Sequence, residues 1–282
     1  MLATLKEVLE KAEQGNYAVG AFNCTSLESG MAIVETAEEL NSPVILQYAD
    51  SHRHLISIDV IGPIMLQLAK IAKVPVVVHL DHGASIESCR HAVDMGFTSV
   101  MYDASAKPFE DNVAETRSVV EYAHERGASV EAELGHILTS KAGAAEGNGK
   151  SYTREEAYTD PEMAKEFIER TNVDALAIGF GTAHGIYTEK PVLDLNRIAL
   201  IKSAKDIPYV MHGGSGLSEE EYRTAIHNGI RKINYYTYLS LAGGRGVMQY
   251  LEDKKDKDAI YFEDIAKAGI TAMKADVKRA MK

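Results

Sequence analysis

Three histidines share one local pattern: each is followed directly by glycine, at or soon after the end of a short apolar run. They are His82, His184 and His212. Glycine lets the backbone turn tightly and leaves room beside the imidazole ring. Three neutral imidazoles with a fourth position left open form a catalytic zinc site. The pattern therefore predicts that these three side chains bind one Zn²⁺ ion.

Three carboxylates also lie at or near the ends of apolar runs, as the three histidines do. Asp81 directly precedes His82, and Asp103 and Glu133 lie at the ends of two further apolar runs. Such oxygen donors either occupy a second metal position or orient the imidazoles of the first, and the sequence leaves both alternatives open. His79 alternates with Asp81 along the same run and is interpreted as a core residue or a support of the site.

The remaining histidines fall in predicted loops or helices. We interpret five of them as surface residues and leave His136, beside a long loop, without a role. The five are His52, His54, His91, His124 and His227.

A second polar feature predicts a phosphate site. The segment "HGGSG" (212–216) leads into a helical pattern, and "NYYT" follows the next apolar run. Barrels often bind phosphate with their last two loops and a helix N-terminus. Glycine amides, Ser215, Asn234 and Thr237 are suitable neutral donors for such a group.

These residues need elements that bring them together, and the chain supplies alternating strand and helix patterns. Eight strand–helix units with nearly continuous apolar strands close naturally into a parallel barrel. We therefore predict an α/β fold, a (β/α)8 TIM barrel; a doubly wound open sheet is the alternative. The predicted strands are 18–23, 43–49, 74–80, 99–105, 129–135, 175–181, 208–214 and 232–237.

No linker divides the sequence, so residues 1–282 are predicted to form a single domain. The segment of about 136–160 is long and rich in glycine, alanine and polar residues, which predicts a mobile active-site loop. An amphipathic pattern over about 262–281 predicts a C-terminal helix.

Composition limits the partners. The net charge of −11 argues against a nucleic-acid or anionic-membrane surface. No apolar run reaches the roughly 20 residues that span a bilayer. Cys24 and Cys89 form no CxxC pattern, so a disulfide framework is not expected and a cytoplasmic location is.

Several motifs recur in a fixed order: "GAFNCTSLE", "HLDHG", "SVMYDAS", "EAELG", "GFGTAHGIY", "HGGSG" and "KIN". Through them the chain resembles the class II (zinc-dependent) fructose-bisphosphate and tagatose-bisphosphate aldolases over nearly its whole length. The resemblance implies Zn²⁺ on the three histidines and Asp81 as the acid/base for the proton of the C4 hydroxyl. It places Glu133 and Asp103 near a second or alternative metal position.

The same resemblance implies a cradle for the phosphate of dihydroxyacetone phosphate. Its members would be Gly185, Gly213, Ser215, Asn234 and Thr237. Members of the family commonly use a monovalent cation (Na⁺ or K⁺) near that phosphate and commonly form homodimers or homotetramers.

The chain departs from the family pattern where the substrate would lie. Tyr236 stands where Asp or Ala is common after the last strand, with Tyr235 and Tyr238 on either side of the Tyr236-Thr237 pair, Thr188 stands where lysine is common, and Ala49 stands where serine is common. The segment 258–260 lacks the arginine that reaches a neighbouring subunit's distal phosphate, and the usual acidic loop is replaced, with Glu146 as a candidate loop base.

We therefore predict a zinc-dependent aldolase that reversibly cleaves a ketose 1-phosphate or a ketose 1,6-bisphosphate into dihydroxyacetone phosphate and an aldehyde such as glyceraldehyde 3-phosphate. One alternative is an aldolase restricted to ketose 1-phosphates without a second phosphate. Others are a non-catalytic, sugar-phosphate-binding accessory subunit and a metal-dependent hydrolase.

Overall fold

A computed structural model describes residues 1–139, 153–187, 189–254 and 259–282. The strands of this part are β1 (Leu2–Ala3), β2 (Val19–Asn23), β3 (Val44–Ala49), β4 (Val76–Gly83), β5 (Ser99–Tyr102), β6 (Ser129–Leu134), β7 (Leu138–Thr139), β8 (Ala175–Ile178), β9 (Ala183–His184), β10 (Tyr209–Met211) and β11 (Ile230–Tyr235).

The helices are α1 (Leu5–Gly15), α2 (Leu27–Leu40), α3 (Ile58–Ile71), α4 (Ile86–Met95), α5 (Phe109–His124), α6 (Arg154–Ala157), α7 (Pro161–Thr171), α8 (Leu195–Ala204), α9 (Glu219–Asn228), α10 (Thr237–Lys254) and α11 (Phe262–Ala280). A 3₁₀ turn, Asp50–His54, follows β3.

Eight parallel strands close into a barrel in the order β4-β3-β2-β11-β10-β8-β6-β5, and pairing of β4 with β5 completes the ring. Each strand predicted from the sequence overlaps one of these eight. The predicted (β/α)8 barrel is therefore confirmed, and closure excludes the open-sheet alternative. The short β1 adds beside β4.

The two faces of each strand carry different residues because side chains alternate along a strand. In β4, Val76, Val78 and Leu80 join the large apolar cluster between the barrel wall and the helices. Val77 belongs instead to a second apolar cluster inside the barrel. His79 and Asp81 follow Val77 at steps of two, so β4 changes from apolar to polar along its inner face.

Helix α1 closes the amino-terminal end of the barrel. Thr4 starts the helix, since its hydroxyl accepts a hydrogen bond from the backbone N–H of Glu7 at 3.2 Å. Leu5 and Leu9 are buried in the inner apolar cluster. Apolar side chains therefore fill this end of the barrel, and the polar side chains of the inner faces lie toward the opposite end, where the strands terminate.

The predicted C-terminal helix is present as α11, which packs along α10 and α2; Lys274 Nζ donates to Glu35 Oε2 at 3.0 Å. None of the described helices is long and apolar enough to cross a membrane. Part of the predicted loop, 140–152, lies outside the described residues. Of its described ends, one forms β7, which pairs with β9, and the other contains α6.

Candidate active site

The three histidines of the glycine pattern meet at the carboxyl ends of the barrel strands. His82 comes from β4, His184 from β9, and His212 directly follows β10. The ring centroids of His82 and His212 are 4.6 Å apart, and that of His184 is 5.2 Å from His82. One nitrogen of each ring lies within 4.8 Å of the others, a grouping able to hold a metal ion.

Carboxylates orient two of these imidazoles. Nδ1 of His82 donates to Oδ2 of Asp103 at 2.8 Å, and Nε2 of His212 donates to Oε1 of Glu131 at 3.0 Å. The inward nitrogens, Nε2 of His82 and Nδ1 of His212, face each other at 2.9 Å. Because the outward nitrogens carry the hydrogens, the inward ones present lone pairs to one place, as metal-binding imidazoles do. This donor set fits zinc.

The charges around the cluster also favour a cation. Burial opposes protonation of His82, yet the Asp81 and Asp103 carboxylates raise its pKa well above the usual value. They therefore favour a positive charge at this ring, and a bound metal ion would take the place of the proton on Nε2. At His212, burial has the largest effect and lowers the pKa to about 4, so this imidazole is neutral and available as a ligand near neutral pH. Negative charge beside a neutral imidazole suits a divalent ion.

The backbone at His82 accepts an uncommon conformation. Its φ is 46°, in the left-handed region that costs a residue with a Cβ about 1–2 kcal/mol. Such conformations concentrate at functional sites, where the surrounding structure holds them. Here the turn leaves the imidazole between Asp103 and His212.

The structure places Asp103 and Glu133 beside the imidazoles. Asp103 uses one oxygen for His82 and the other for Ser105, whose hydroxyl donates to Oδ1 at 2.7 Å. Oε2 of Glu133 lies 3.9 Å from Nδ1 of His212. His82, Asp103 and Glu133 form a second grouping able to hold a metal ion, so both roles considered for these carboxylates remain compatible with the geometry.

A buried ion pair inside the barrel contacts the histidine cluster through Glu131, the hydrogen-bond partner of His212. Lys232 Nζ lies 2.8 Å from Oε2 of Glu131 and donates to Oδ1 of Asn234 at 2.7 Å, with the lysine and glutamate fully buried. Burial alone raises the pKa of Glu131, but Lys232 and His212 lower it overall to about 2. The ionised carboxylate can therefore keep the hydrogen of His212 on Nε2.

The sequence interpretation misses Glu131 and Lys232 as parts of the site. The spacing along the strands indicates their position, because residues two apart on a strand share a face. Glu131 lies two residues before Glu133, and Lys232 lies two residues before Asn234. His79 also lies in this layer. It is fully buried, with Nδ1 2.8 Å from the hydroxyl of Ser99 and Nε2 3.7 Å from Oε2 of Glu131.

Asp81 is held by three side-chain amides. Asn23 and Gln47 each donate to Oδ2 at 3.1 Å, and Asn234 donates to Oδ1 at 3.0 Å. Burial opposes ionisation, but His82, His212 and other neighbouring groups lower the pKa of Asp81 overall. A fixed, ionised carboxylate beside the imidazoles is placed to accept a proton from a group bound there.

A cavity of about 250 Å³ opens above these groups. Most predicted site residues line it, whereas His212, Asp103 and Glu133 lie beneath or behind its wall. Those in the lining are Asp81, His82, His184, Gly185, Gly213, Ser215, Asn234 and Thr237.

The predicted phosphate cradle occupies one side of this cavity. Gly213 has a φ of 64°, and a Cβ there would collide with the carbonyl oxygen of Ala183, so glycine is required. Tyr187, absent from the sequence prediction, donates from its hydroxyl to the carbonyl of Gly213 at 2.9 Å and accepts from the N–H of Ala183 at 2.8 Å. Thr237 begins α10, whose N-terminal amides favour an anion.

His52 was predicted to be a surface residue, and this prediction is wrong. Its ring lines the cavity, half-buried, with its centroid 4.6 Å from that of Tyr236. The cause is the 3₁₀ turn after β3, which directs the segment back over the barrel mouth. Thr188, Glu146 and residue 258 of the segment 258–260 lie outside the described residues.

Comparisons with known proteins identify the family of the chain. A family model described as fructose-bisphosphate aldolase class-II matches residues 3–282. The fructose-bisphosphate aldolase of Geobacillus stearothermophilus is 41% identical over 279 residues, which cover 98% of this chain and 94% of the relative. That of Staphylococcus aureus is 40% identical over 261 residues, covering 90% and 88%.

A solved structure is similar over the full length. The YdjI aldolase from Escherichia coli K12 matches with a TM-score of 0.85 at 33% identity, covering 100% of this chain and 96% of that one. Fold and site together define a barrel enzyme with clustered imidazoles and carboxylates at its strand ends. The chain belongs to the class II fructose-bisphosphate aldolase family. It is an aldolase, a lyase of carbohydrate metabolism.

Proposed function

We propose that the enzyme is zinc-dependent and reversibly cleaves a ketose 1-phosphate or ketose 1,6-bisphosphate into dihydroxyacetone phosphate and an aldehyde such as glyceraldehyde 3-phosphate. The observation that carries this proposal is the triad His82, His184 and His212, with two outward nitrogens held by carboxylates and Asp81 beside it. These three residues would hold the ion. When bound, zinc would supply a Lewis acid for the substrate carbonyl and for the charge that develops at C3.

The residues of the chain supply the remaining steps. The amides of Asn23, Gln47 and Asn234 fix the Asp81 carboxylate, which accepts the proton of the C4 hydroxyl as the C3–C4 bond breaks and its electron pair passes to C3 and the adjacent carbonyl. C3 then takes up one proton to give dihydroxyacetone phosphate, and the candidate loop base Glu146 is proposed to supply it. The same carboxyl returns that proton in condensation. This route needs no lysine Schiff base.

Gly185, Gly213, Ser215, Asn234 and Thr237 are proposed to bind the phosphate next to C1. Their donors are neutral, and the N-terminus of α10 adds a favourable dipole. Fixing this phosphate orients C3 and C4 between the imidazole cluster and Asp81. A monovalent cation, Na⁺ or K⁺, beside the phosphate is part of the proposal.

Assembly and location complete the proposal. We propose a homodimer or homotetramer in the cytoplasm, with a sugar phosphate as the partner and no nucleic acid or membrane. The family resemblance supports self-association, because members of the family commonly form homodimers or homotetramers.

A coupled assay for dihydroxyacetone phosphate tests the function. We expect release from a ketose phosphate, loss of release with a chelator, and recovery on adding Zn²⁺. Asp81→Ala should keep the zinc but reduce turnover by about 10²-fold or more, the scale of general acid–base catalysis. A sugar-phosphate-binding protein without catalysis would release none, and a hydrolase would release inorganic phosphate; either result contradicts the proposal.

A further inference from the structure

We infer that His52 and Tyr236 form the wall that contacts the aldehyde half of the substrate, and that this wall selects ketose 1-phosphates with an uncharged, hydroxylated tail over 1,6-bisphosphates. The inference rests on the proposed function and narrows it. It concerns two residues to which the proposed chemistry assigns no role.

The pair belongs to the same cavity as the reacting groups. His52 comes from the 3₁₀ turn after β3, and Tyr236 follows β11. Their ring centroids are 4.6 Å apart with an interplanar angle of 48°. The backbone N–H of Tyr236 donates to the hydroxyl of Ser215 at 3.2 Å, so the tyrosine backbone is fixed to the phosphate cradle.

The strand order places this pair where the substrate tail must go. The cradle lies at the ends of β10 and β11, and Asp81 lies on β4. Strands β2 and β3 stand between β11 and β4. A ketose with its phosphate in the cradle and its C4 hydroxyl at Asp81 therefore lies across the ends of β2 and β3. The residues that follow the flanking strands β3 and β11, His52 and Tyr236, are then beside it, and we place its tail against their rings.

The charge of this wall does not suit a second phosphate. Among the described residues that line the cavity there is no lysine or arginine. Arg53, next to His52 in the chain, donates to Oδ1 of Asp50 at 2.8 Å, and its side chain is 66% exposed. Lys232 is fully buried against Glu131. The C1 phosphate would have the glycine amides of the cradle and the N-terminus of α10, whereas a second phosphate at this wall would have no cation among the described residues. The net charge of −11 adds repulsion.

The chemistry of the wall does suit hydroxyl groups. The Ser51 hydroxyl, the His52 imidazole and the Tyr236 phenol can donate to or accept from sugar hydroxyls, and all three residues line the cavity. The aromatic faces offer an apolar surface to the carbons of the tail. A site that hydrogen-bonds substrate hydroxyls rejects analogues that cannot satisfy it.

The test compares kcat/KM for fructose 1-phosphate, fructose 1,6-bisphosphate and tagatose 1,6-bisphosphate. We expect the 1-phosphate to be preferred by about tenfold or more, the scale of hydrogen bonds to one substrate group. Tyr236→Lys should move this ratio toward the bisphosphates by about tenfold or more through KM, because it adds a cation at the tail. The exposed Tyr17, which follows α1 at the closed end of the barrel, provides the matched control: Tyr17→Lys adds the same charge and should leave the ratio unchanged.

Metal content of each variant shows whether the imidazole cluster has survived the substitution. If Tyr236→Lys does not fold, Tyr236→Phe, which removes only the hydroxyl, should still raise KM for the 1-phosphate. A bisphosphate preference of the unmodified enzyme, or an unchanged ratio in the folded Tyr236→Lys variant, contradicts the inference alone. Release of dihydroxyacetone phosphate from none of the three substrates contradicts the proposed function instead.

Discussion

The two ends of the barrel are formed by the same eight strands but have opposite characters. At the amino-terminal end, Val77 of β4 and Val210 of β10 join side chains of α1 in a closed apolar cluster. Two to four residues further along the same inner faces stand Asp81 and His212. Apolar packing therefore fills one end of the barrel, and polar groups occupy the other. We expect substitutions at the apolar end to reduce stability and substitutions at the polar end to reduce metal binding or turnover.

The largest effect is expected from His212→Ala, which removes a proposed metal ligand. Loss of a group that only orients a ligand costs about 10–100-fold in metal affinity or activity, so loss of the ligand should cost more. We expect the purified variant to contain little zinc and turnover to fall by more than about 10²-fold.

Val210→Ala is the matched control, since it lies two residues earlier on the same inner face and belongs to the apolar cluster. It should reduce stability and keep the zinc. Full zinc content in the His212 variant would contradict the assignment of this ligand.

The second effect concerns the boundary between the two ends, where Lys232 neutralises Glu131. Lys232→Met leaves a buried carboxylate without its ion-pair partner, which costs about 3–5 kcal/mol in unfolding free energy. Without Lys232, burial raises the pKa of Glu131 and favours its neutral form, which holds the hydrogen of His212 less firmly. Metal affinity should therefore also fall by about 10–100-fold. Chemical denaturation and zinc titration measure the two quantities.

Combining Lys232→Met with Glu131→Gln separates these roles. The double variant has no charge at these two buried positions and should recover most of the lost unfolding free energy, whereas metal affinity should stay reduced because His212 has lost its carboxylate. Recovery of both quantities would show that Glu131 does not support the imidazole.

A third substitution tests the closed end. Leu9 of α1 is buried in the inner apolar cluster, so Leu9→Ala should lower the unfolding free energy by about 2–5 kcal/mol. Turnover per folded molecule should not change, because α1 lies at the end opposite the site. A Leu9→Ala variant with the stability of the parent but a lower turnover would contradict the assignment of stability to one end of the barrel and chemistry to the other.

The smallest effect is a pH dependence from His79. Burial lowers its pKa to about 3 from the ordinary 6.5. Between these values the unfolded chain binds a proton that the folded chain does not, so the stabilisation is complete above pH 6.5 and is lost as the pH falls. One such group contributes about 1.4 kcal/mol per pH unit.

We expect His79→Gln to flatten the fall of unfolding free energy between about pH 6 and pH 4. Equal slopes for the parent and the His79 variant would contradict the burial argument.

The sequence predicted the barrel well because its strands are apolar, β-branched and regularly spaced. It also predicted that His82, His184 and His212 would meet, since the ends of parallel strands share one face. It offered Asp103 as a carboxylate that could orient an imidazole, but it did not show which imidazole and gave Glu131 no role, because Asp103 and Glu131 reach His82 and His212 only through the register of neighbouring strands. His52 was misplaced because nothing local shows that a short turn folds back over the barrel mouth.

The most direct test of the central claim is anomalous diffraction at the zinc absorption edge from crystals grown with stoichiometric Zn²⁺. The account predicts one strong peak bonded to imidazole nitrogens of His82, His184 and His212 at about 2.0–2.1 Å. A map without a peak in this cluster, or a peak bonded to other residues, would contradict it.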